Sequence, residues 1–347
     1  MERHGPQLFP RWPVSHIAYL QCIKKIYMNS PKISVLVLNW NGWEDTLECL
    51  KSLFQVRYSN FEILITDNGS SNGSATVIAE WVENNGGKNI EFDVYNEGET
   101  LRTVKPVPGI IPVSLIKNRE NYGFSGGNNR AVKKVANERH PEYVLLLNND
   151  TVVDKDILDN FVEAILSDEK IAAIAPLVNY FGSEPTDTVY CFGGAVNMLT
   201  GFVTHFHMGE IKPTLPNLQY VNFLEGSALF IKTDVFIKIG GFDEKFFAYF
   251  EDLDLSHRLL KNGYLLACAS KAKIWHKVSK SSKVPKKAYY LIRNLIWFMK
   301  KDATFAQKIV FFIYLPFRLG YLFFIKSRLN GDYISAVIKG AKEGLFG

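Results

Sequence analysis

Five carboxylates stand close together near position 250, among large aromatic side chains. They are Asp243, Glu244, Glu251, Asp252 and Asp254. Leucines follow at helical spacing, which places Glu251 and Asp252 at a predicted helix N-terminus. There the helix dipole stabilises negative charge, whereas the aromatic surroundings disfavour ionisation. A carboxylate under these opposing influences could act as a general base. The alternative is an acidic N-cap on a surface helix.

Two further polar residues follow predicted strands near the start of the chain. Residues 33–38 and 61–66 are apolar and rich in β-branched side chains, and they end in Asn39 and Asp67. A helical pattern follows each, and this β-α-β-α order predicts a doubly wound, mostly parallel sheet with flanking helices. Ligands bind such sheets beyond the carboxyl ends of the strands. Asn39 and Asp67 are therefore predicted to border a ligand.

A loop rich in glycine and amide side chains follows the predicted strand at 113–117. It spans residues 118–129 and precedes a predicted helix. Glycines allow the backbone to approach a ligand closely, and a helix N-terminus favours an anion. The segment therefore predicts an anion-binding loop, with an ordinary glycine-rich turn as the alternative.

The predicted strand at 143–147 runs into Asn148, Asn149 and Asp150. Oxygen ligands of this kind suit a hard divalent cation, although a polar turn at a helix start would have the same composition. Two further strands are predicted after the acidic segment, at 264–269 and 273–276, and His276 ends the second. A lone histidine is usually structural, but this position favours a role as a ligand.

The 347 residues divide into three predicted parts. Residues 1–30 are expected to be a poorly ordered extension without a secretory signal, residues 31–282 one catalytic domain, and residues 283–347 a helical tail. From residue 271 onward the chain has sixteen Lys and Arg against three Asp and Glu, whereas the preceding residues have 24 against 32. Only the tail is therefore expected to meet an anionic partner. The four widely separated cysteines predict buried thiols in a reducing compartment.

The tail is aromatic as well as basic. Its longest stretch without charge is nine residues, 309–317, whereas a membrane-spanning helix needs about twenty largely apolar residues. The pattern therefore favours amphipathic helices lying at a membrane surface near anionic headgroups. The alternative is a pair of helices packed on the domain or on a second subunit.

Six sequence blocks, in this order and spacing, resemble the family 2 inverting glycosyltransferases with a GT-A fold, in particular the rhamnosyltransferase-like branch. The blocks are VLNWNG at 37–42, TDNGSSNGS at 66–74, NYGFSGGNN at 121–129, LLLNNDTVV at 145–153, GGFDEKFFAYFEDLDLSHRL at 240–259 and the segment around His276. The resemblance covers about residues 32–300 and implies a GT-A, Rossmann-like sheet.

The resemblance also implies residue roles. Those assigned to the nucleotide and diphosphate are Asn39, Asp67, Asn121, Gly127, Asn128 and Asn149. Asp150 and His276 would hold Mg²⁺ or Mn²⁺. Asn148 departs from the family's usual aspartate, which leaves Asp150 to supply most of the negative charge. Asp252 would be the catalytic base, with Glu251 as its partner.

The function implied is transfer of a sugar from a nucleotide-sugar donor, with dTDP-rhamnose expected first and UDP-sugars next. The acceptor would be a lipid-linked or cell-surface glycan, at the cytoplasmic, inner face of the cell membrane. No nucleic-acid partner is expected, and a homo-oligomer is left open. The alternatives are a nucleotidyltransferase and a non-catalytic membrane-associated scaffold with the same fold. The segment 39–42 lacks the basic residue expected after the first strand of a nucleotidyltransferase.

Overall fold

The computed structural model describes residues 30–103, 107–278, 284–326 and 331–347. The predicted extension falls outside these residues apart from Ser30. The strands are β1 Ile33–Asn39, β2 Phe61–Asp67, β3 Ile90–Asn96, β4 Ile111–Lys117, β5 Tyr143–Asn148, β6 Thr151–Val153, β7 Ile171–Phe181, β8 Pro185–Cys191, β9 Gly194–Asn197, β10 Phe202–His205, β11 Leu218–Tyr220, β12 Ala228–Lys232 and β13 Leu265–His276. The helices are α1 Trp43–Leu53, α2 Ser74–Asn85, α3 Gly123–Glu138, α4 Ile157–Ile165, α5 Thr233–Lys238, α6 Glu251–Lys261, α7 Val284–Asp302, α8 Phe305–Lys326 and α9 Gly331–Phe346.

The described strands form a central sheet in the order β11-β13-β7-β12-β5-β1-β2-β4-β3. Strands β3, β4, β2, β1 and β5 are parallel, and β12 enters antiparallel between β5 and β7. After β1 the chain builds outward through β2 and then returns to the other side of β1 as β5. The carboxyl ends of β1 and β5 therefore flank a topological switch point, where such sheets bind ligands.

Helices cover both faces of the sheet, as the continuous apolar strands require. In β1, Val35 and Val37 face the core beneath α1, α2 and α4, whereas Leu36 faces the core beneath α3, α5 and α6. The predicted mostly parallel sheet with flanking helices is therefore confirmed. The described cysteines Cys49, Cys191 and Cys268 are free and buried. Cys22 lies outside the described residues.

Two local features differ from the sequence prediction. The short strand β6 lies between Asp150 and α4, where a turn leading directly into a helix was predicted, and it pairs with the end of β13. The segments 264–269 and 273–276 were predicted as separate strands but form the single strand β13, with a register shift between Ala269 and Lys273. Pairing with β7 across this irregularity maintains the strand, which a local pattern does not reveal.

The first tail helix, α7, is packed against the rest of the chain. Leu295, Ile296 and Phe298 are buried with Phe246 and Leu253 in a third apolar cluster. Burial of such side chains contributes about 1.5–3 kcal/mol each. Helix α7 is therefore joined to the acidic segment by an apolar core.

Helix α8 has a different environment. Its segment Phe305–Phe324 is long and apolar enough to cross a membrane, and only 11% of the most apolar window is buried. Phe305, Ile313, Phe317 and Phe324 are among its most exposed side chains. Large exposed apolar surfaces of this kind mark interaction sites.

Candidate active site

The carboxyl ends of β1 and β2 are joined by a buried hydrogen bond. Asn39 Nδ2 donates to Asp67 Oδ1 over 2.6 Å, and both residues are buried. Asn39 Oδ1 accepts from Gly42 N over 3.2 Å and lies 3.0 Å from the Thr46 hydroxyl. Since the Asn39 amide is already engaged within the protein, its observed role is to orient Asp67. The predicted contact of Asn39 with a nucleotide stays a prediction.

Asp67 retains capacity to accept a further donor. Its Oδ1 accepts from Asn39 and from the Ser70 hydroxyl, whereas Oδ2 accepts from Ser70 N over 3.1 Å. A carboxylate oxygen can accept two hydrogen bonds. The position is therefore compatible with the predicted contact between Asp67 and a nucleotide.

Asn149 connects β5 to the same region. Its Nδ2 donates over 3.0 Å to both the Gly42 carbonyl and the Thr46 hydroxyl. Thr46, at the start of α1, thus links Asn149 to Asn39. Sequence reasoning missed Thr46, because a threonine in a first helical turn carries no signal of its own. The network places Asn149 beside Asn39 and Asp67, as the shared strand edge predicted.

The glycine-rich loop is fastened by its own amide side chains. Asn121 Oδ1 accepts from Gly123 N over 2.8 Å and from Asn68 Nδ2 over 3.0 Å. Asn128 is buried and donates to Phe124 O over 3.0 Å. A Cβ on Gly127 would lie 2.7 Å from Leu38 Cδ1, so the helix approaches β1 closely here. These contacts position the loop, and contact with a diphosphate stays a prediction for Asn121, Gly127 and Asn128.

Asp150 and His276 meet as predicted, although 126 positions separate them. His276 Nε2 lies 3.1 Å from Asp150 Oδ1. Burial acts to lower the pKa of His276, but the hydrogen bond and the negative charge of Asp150 outweigh it and raise this pKa above its ordinary value. His276 Nδ1 is buried without a hydrogen-bond partner.

This pair fits a divalent metal that also binds a substrate. Among the described residues, no three His, Cys, Asp or Glu side chains converge to hold a metal alone. Mg²⁺ in nucleotide sites is held by one or two carboxylates, while substrate phosphates and water complete its shell. Asp150 supplies a carboxylate and His276 an imidazole, so the remaining ligands would come from a diphosphate.

Asp252 lies in the first turn of α6, as predicted. Its Oδ1 accepts from Leu253 N over 2.8 Å, and its Oδ2 accepts from Gly226 N over 3.0 Å. Burial, followed by the negative charge of Glu225, raises the pKa of Asp252 to about 7. A carboxyl group with such a pKa can exchange a proton near neutral pH, which suits a general base.

Glu251 is more strongly enclosed. It is buried, and its Oε2 has no hydrogen-bond partner. Burial, together with the charge of Asp252, raises the pKa of Glu251 well above its ordinary value. Since two backbone N–H groups stabilise the ionised form of Asp252, we infer that Glu251 holds its proton while Asp252 ionises.

The turn at Gly226 and Ser227 connects Asp252 to the strand end that precedes Asp150. Gly226 N donates to Asp252, and Ser227 O accepts from Asn148 N over 2.9 Å. Glu225, which precedes this turn, accepts from Ser227 N over 3.0 Å and from the Ser227 hydroxyl. Sequence reasoning missed Glu225, because it is a single acidic residue in an apolar stretch. Only folding brings it close enough to Asp252 to affect the pKa of that carboxyl group.

The other acidic residues near position 250 form ion pairs. Arg258 Nε lies 2.7 Å from Asp254 Oδ2, and its Nη atoms donate to carbonyls of the loop before the acidic segment. Lys301 Nζ lies 2.6 Å from Asp254 and 2.8 Å from Asp243. Arg258, Asp243 and Asp254 are thus engaged in ion pairs within the protein.

The backbone before α6 is strained. Phe247, Tyr249 and Phe250 have positive φ angles of 60°, 69° and 75°. Ala248 N donates to Phe246 O over 2.6 Å around Phe247, whose φ and ψ of 60° and −56° define a rare γ-turn. Each such residue costs on the order of 1–3 kcal/mol and persists only where surrounding contacts impose it. The segment directly before the proposed base is therefore held in place by its neighbours.

Comparison with known proteins agrees with this geometry. Residues 31–298 match the family described as "Glycosyltransferase like family 2". The N-acetylglucosaminyl-diphospho-decaprenol L-rhamnosyltransferase of Mycobacterium tuberculosis is 26% identical over 183 residues, which cover 47% of this chain and 58% of that protein. The rhamnosyltransferase WbbL of Escherichia coli K12 is 29% identical over 153 residues, covering 42% and 57%. The chain thus spans little more than half the length of these relatives.

A solved structure extends the comparison to the fold. The mannosyltransferase PcManGT from Pyrobaculum calidifontis, solved with GDP-Man and Mn²⁺, superposes with a TM-score of 0.53 at 13% identity, covering 96% of each chain. At such identity the likeness concerns the fold alone. Since the family match covers most of the described chain and ends within α7, the chain belongs to glycosyltransferase-like family 2 and has a GT-A fold.

Proposed function

We propose that the chain is a metal-dependent inverting glycosyltransferase that moves a sugar from a nucleotide-sugar donor to a glycan acceptor. The observation that carries the proposal is the convergence of two sites on one turn. Gly226 N donates to Asp252, while the adjacent Ser227 O accepts from Asn148, two residues before Asp150. A candidate base and a candidate diphosphate site thus adjoin the same turn.

The chemistry is one displacement at the anomeric carbon. Asp252 removes the proton of the acceptor hydroxyl as that oxygen forms its bond to the sugar. The bond from the sugar to the diphosphate breaks on the opposite face, and the configuration inverts. The leaving nucleoside diphosphate takes the bonding electron pair.

The other side chains bind and orient the reactants. Asp67, oriented by Asn39, accepts from the nucleotide base, and the loop carrying Asn121, Gly127 and Asn128 borders the diphosphate, as does Asn149. Asp150 and His276 would hold Mg²⁺ or Mn²⁺, which would supply positive charge to neutralise the leaving diphosphate. Glu251 beside the base holds the acceptor or orients Asp252.

The relatives guide the choice of substrates. Two are named rhamnosyltransferases, one of them acting on a diphospho-decaprenol substrate. We therefore place dTDP-rhamnose first as donor, UDP-sugars next, and a lipid-linked or cell-surface glycan as acceptor.

The exposed apolar face of α8 and the basic tail support attachment to the inner face of the cell membrane. Interfacial helices bury an apolar face and attract anionic lipids through Lys and Arg. The length of α8 would also allow it to span the membrane, so extraction distinguishes the two arrangements. Alkaline carbonate releases a peripheral protein, whereas an embedded one requires detergent.

The test of the catalytic proposal is release of nucleoside diphosphate from a panel of dTDP- and UDP-sugars with Mn²⁺ or Mg²⁺ and a membrane extract as acceptor. Transfer predicts metal-dependent release with at least one donor. Release of pyrophosphate would identify a nucleotidyltransferase instead. Absence of release from every donor would favour the non-catalytic scaffold.

A further inference from the structure

We propose that Asn294, oriented by Arg293, is a positioning residue that fixes the strained segment Phe246–Phe250 and thereby places Asp252. Both residues lie on α7, in the tail that sequence reasoning separated from the catalytic domain. The inference rests on the proposed function, in which Asp252 is the base.

A single amide group reaches three carbonyls of this segment. Asn294 Nδ2 lies 2.9 Å from Phe246 O, 2.8 Å from Ala248 O and 2.7 Å from Tyr249 O. Asn294 is fully buried. The positive φ angles bring the carbonyls around this nitrogen. Without it they would have fewer donors, in a setting that is buried at Phe246 and half-buried at Ala248 and Tyr249. Buried carbonyls without donors are unfavourable, so Asn294 stabilises the strained backbone.

Arg293 determines which way the Asn294 amide points. Arg293 Nε donates to Asn294 Oδ1 over 2.9 Å, and Arg293 Nη2 donates to Phe246 O over 3.2 Å. Since a guanidinium has donors but no acceptor, Oδ1 must face Arg293 and Nδ2 must face the segment. Arg293 is itself held by Glu343 of α9 at 3.3 Å and by the ring of Trp297 at 4.2 Å.

The same segment also contacts the glycine-rich loop. Phe247 O accepts from Phe124 N over 2.6 Å and from Ser125 N over 3.3 Å, at the start of α3. The Phe247 ring stacks on Tyr290 of α7 with centroids 5.5 Å apart. Helix α7 thus holds a segment with two important neighbours. Phe247 contacts the predicted diphosphate loop, and Phe250 directly precedes α6, the helix that carries Asp252.

Loss of the Asn294 amide is expected to relax this segment and displace Asp252. A misplacement of about 1 Å caused by a distant mutation can cost about 100-fold in rate. The nucleotide base and the metal are assigned to Asp67 and Asp150, at other strand ends. The glycine-rich loop is also held by Asn121, which accepts from Gly123 N and from Asn68 Nδ2, so nucleotide binding is expected to persist. The signature of positioning is therefore a large fall in kcat with little change in affinity for the nucleotide.

The test compares Asn294→Asp, which keeps the size of the side chain but removes its donors, with Leu295→Ala. Leu295 is the adjacent buried residue on α7 and packs in the apolar cluster without a hydrogen bond to the segment. With the most active donor of the panel, Asn294→Asp is expected to lower kcat by about 100-fold. UDP and dTDP affinities with Mn²⁺ should stay within about twofold, and Leu295→Ala should lower the melting temperature but retain kcat.

Hydrogen–deuterium exchange gives a readout independent of activity. Amides of residues 247–254 should exchange faster in Asn294→Asp but not in Leu295→Ala. If wild type releases no nucleoside diphosphate, the proposed function fails, while faster exchange would still show that Asn294 holds the segment. Should Asn294→Asp not fold, Arg293→Lys keeps the charge, loses the orienting Nε, and should show the same two effects. Unchanged kcat and unchanged exchange in the folded variant would overturn the proposal.

Discussion

Replacement of Asp252 by Asn tests the proposed base with little change in shape. The carboxylate accepts hydrogen bonds from Gly226 N and Leu253 N, and an amide can accept only one of them through its oxygen. The variant should therefore lose about 1 kcal/mol of folding free energy at every pH. Turnover should fall by about 10²–10⁴-fold, the usual contribution of a general base. Nucleotide affinity should change little.

The pH dependence of folding stability gives a second quantitative test of Asp252. The pKa of Asp252 is about 7 in the folded protein, against an ordinary value of 3.8. Because the folded state keeps a proton that the unfolded chain releases, wild-type stability falls as pH rises from about 4 to about 7. At about 1.4 kcal/mol per pH unit, the loss between pH 5 and pH 7 is at most about 2.7 kcal/mol.

The assay is thermal unfolding of wild type and Asp252→Asn from pH 5 to pH 8, without metal or donor. The melting temperature of the variant relative to wild type should rise by about 2–4 °C across this range. Wild-type kcat/KM should increase through pH 7 as the base ionises. Asp187→Asn, at an exposed carboxylate paired with Lys212, is the matched control. Near wild-type turnover in Asp252→Asn would contradict the role of Asp252 as base, and a stability difference that does not vary with pH would contradict its raised pKa.

Three further predictions concern the metal, the tail and the close approach of α3 to β1. Asp150→Ala should abolish the Mn²⁺-dependent part of UDP or dTDP affinity, measured by calorimetry. In wild type, the Mn²⁺-dependent nucleotide affinity should fall by up to about tenfold for each pH unit below the pKa of His276. The reason is that Asp150 stabilises the protonated imidazole, which must lose its proton before it can bind the metal. Ile313→Glu with Phe317→Glu should reduce sedimentation with vesicles of anionic lipid. Gly127→Ala should destabilise the fold by about 1–3 kcal/mol through contact with β1, seen in chemical denaturation.

Each of these predictions has a matched control. Asp187→Asn should leave metal-dependent affinity unchanged, and activity that persists in EDTA would count against the metal. Ile211→Glu changes an exposed apolar side chain outside the tail, so equal vesicle binding by this variant and by the α8 variant would contradict the membrane assignment. Gly209→Ala introduces a methyl group where no atom lies within 4 Å, although its φ of 84° adds backbone strain. A smaller loss in Gly127→Ala than in Gly209→Ala would show that the contact with β1 is tolerated.

Much of the site was predictable because it lies at strand ends. The apolar runs define β1, β2 and β5, and parallel strands bring Asn39, Asp67 and Asp150 to one edge of the sheet. Their mutual contacts were not predictable. The hydrogen bond from the Asn39 amide to Asp67 is an example, because hydrogen bonding across strands depends on register and side-chain rotamers.

In the tail, the sequence predicted the general character of the helices but not the contacts that matter for the site. Its composition predicted amphipathic helices, and α8 exposes the expected apolar face. That α7 instead buries Asn294 against the segment before the base could not be read from composition, since these contacts join residues more than 40 positions apart.

Local sequence patterns were enough to predict the alternation of strands and helices, the polar residues that end the strands, and the placement of Glu251 and Asp252 in a first helical turn. Such features follow from local periodicity and from the helix dipole. Which carboxylates form ion pairs and which are shielded from solvent depends on tertiary contacts. Asp254 lies against Arg258 and Lys301, whereas Asp252 lies near Glu225 with two backbone donors. The physical reason is that desolvation and charge at each carboxylate depend on the atoms that folding brings around it.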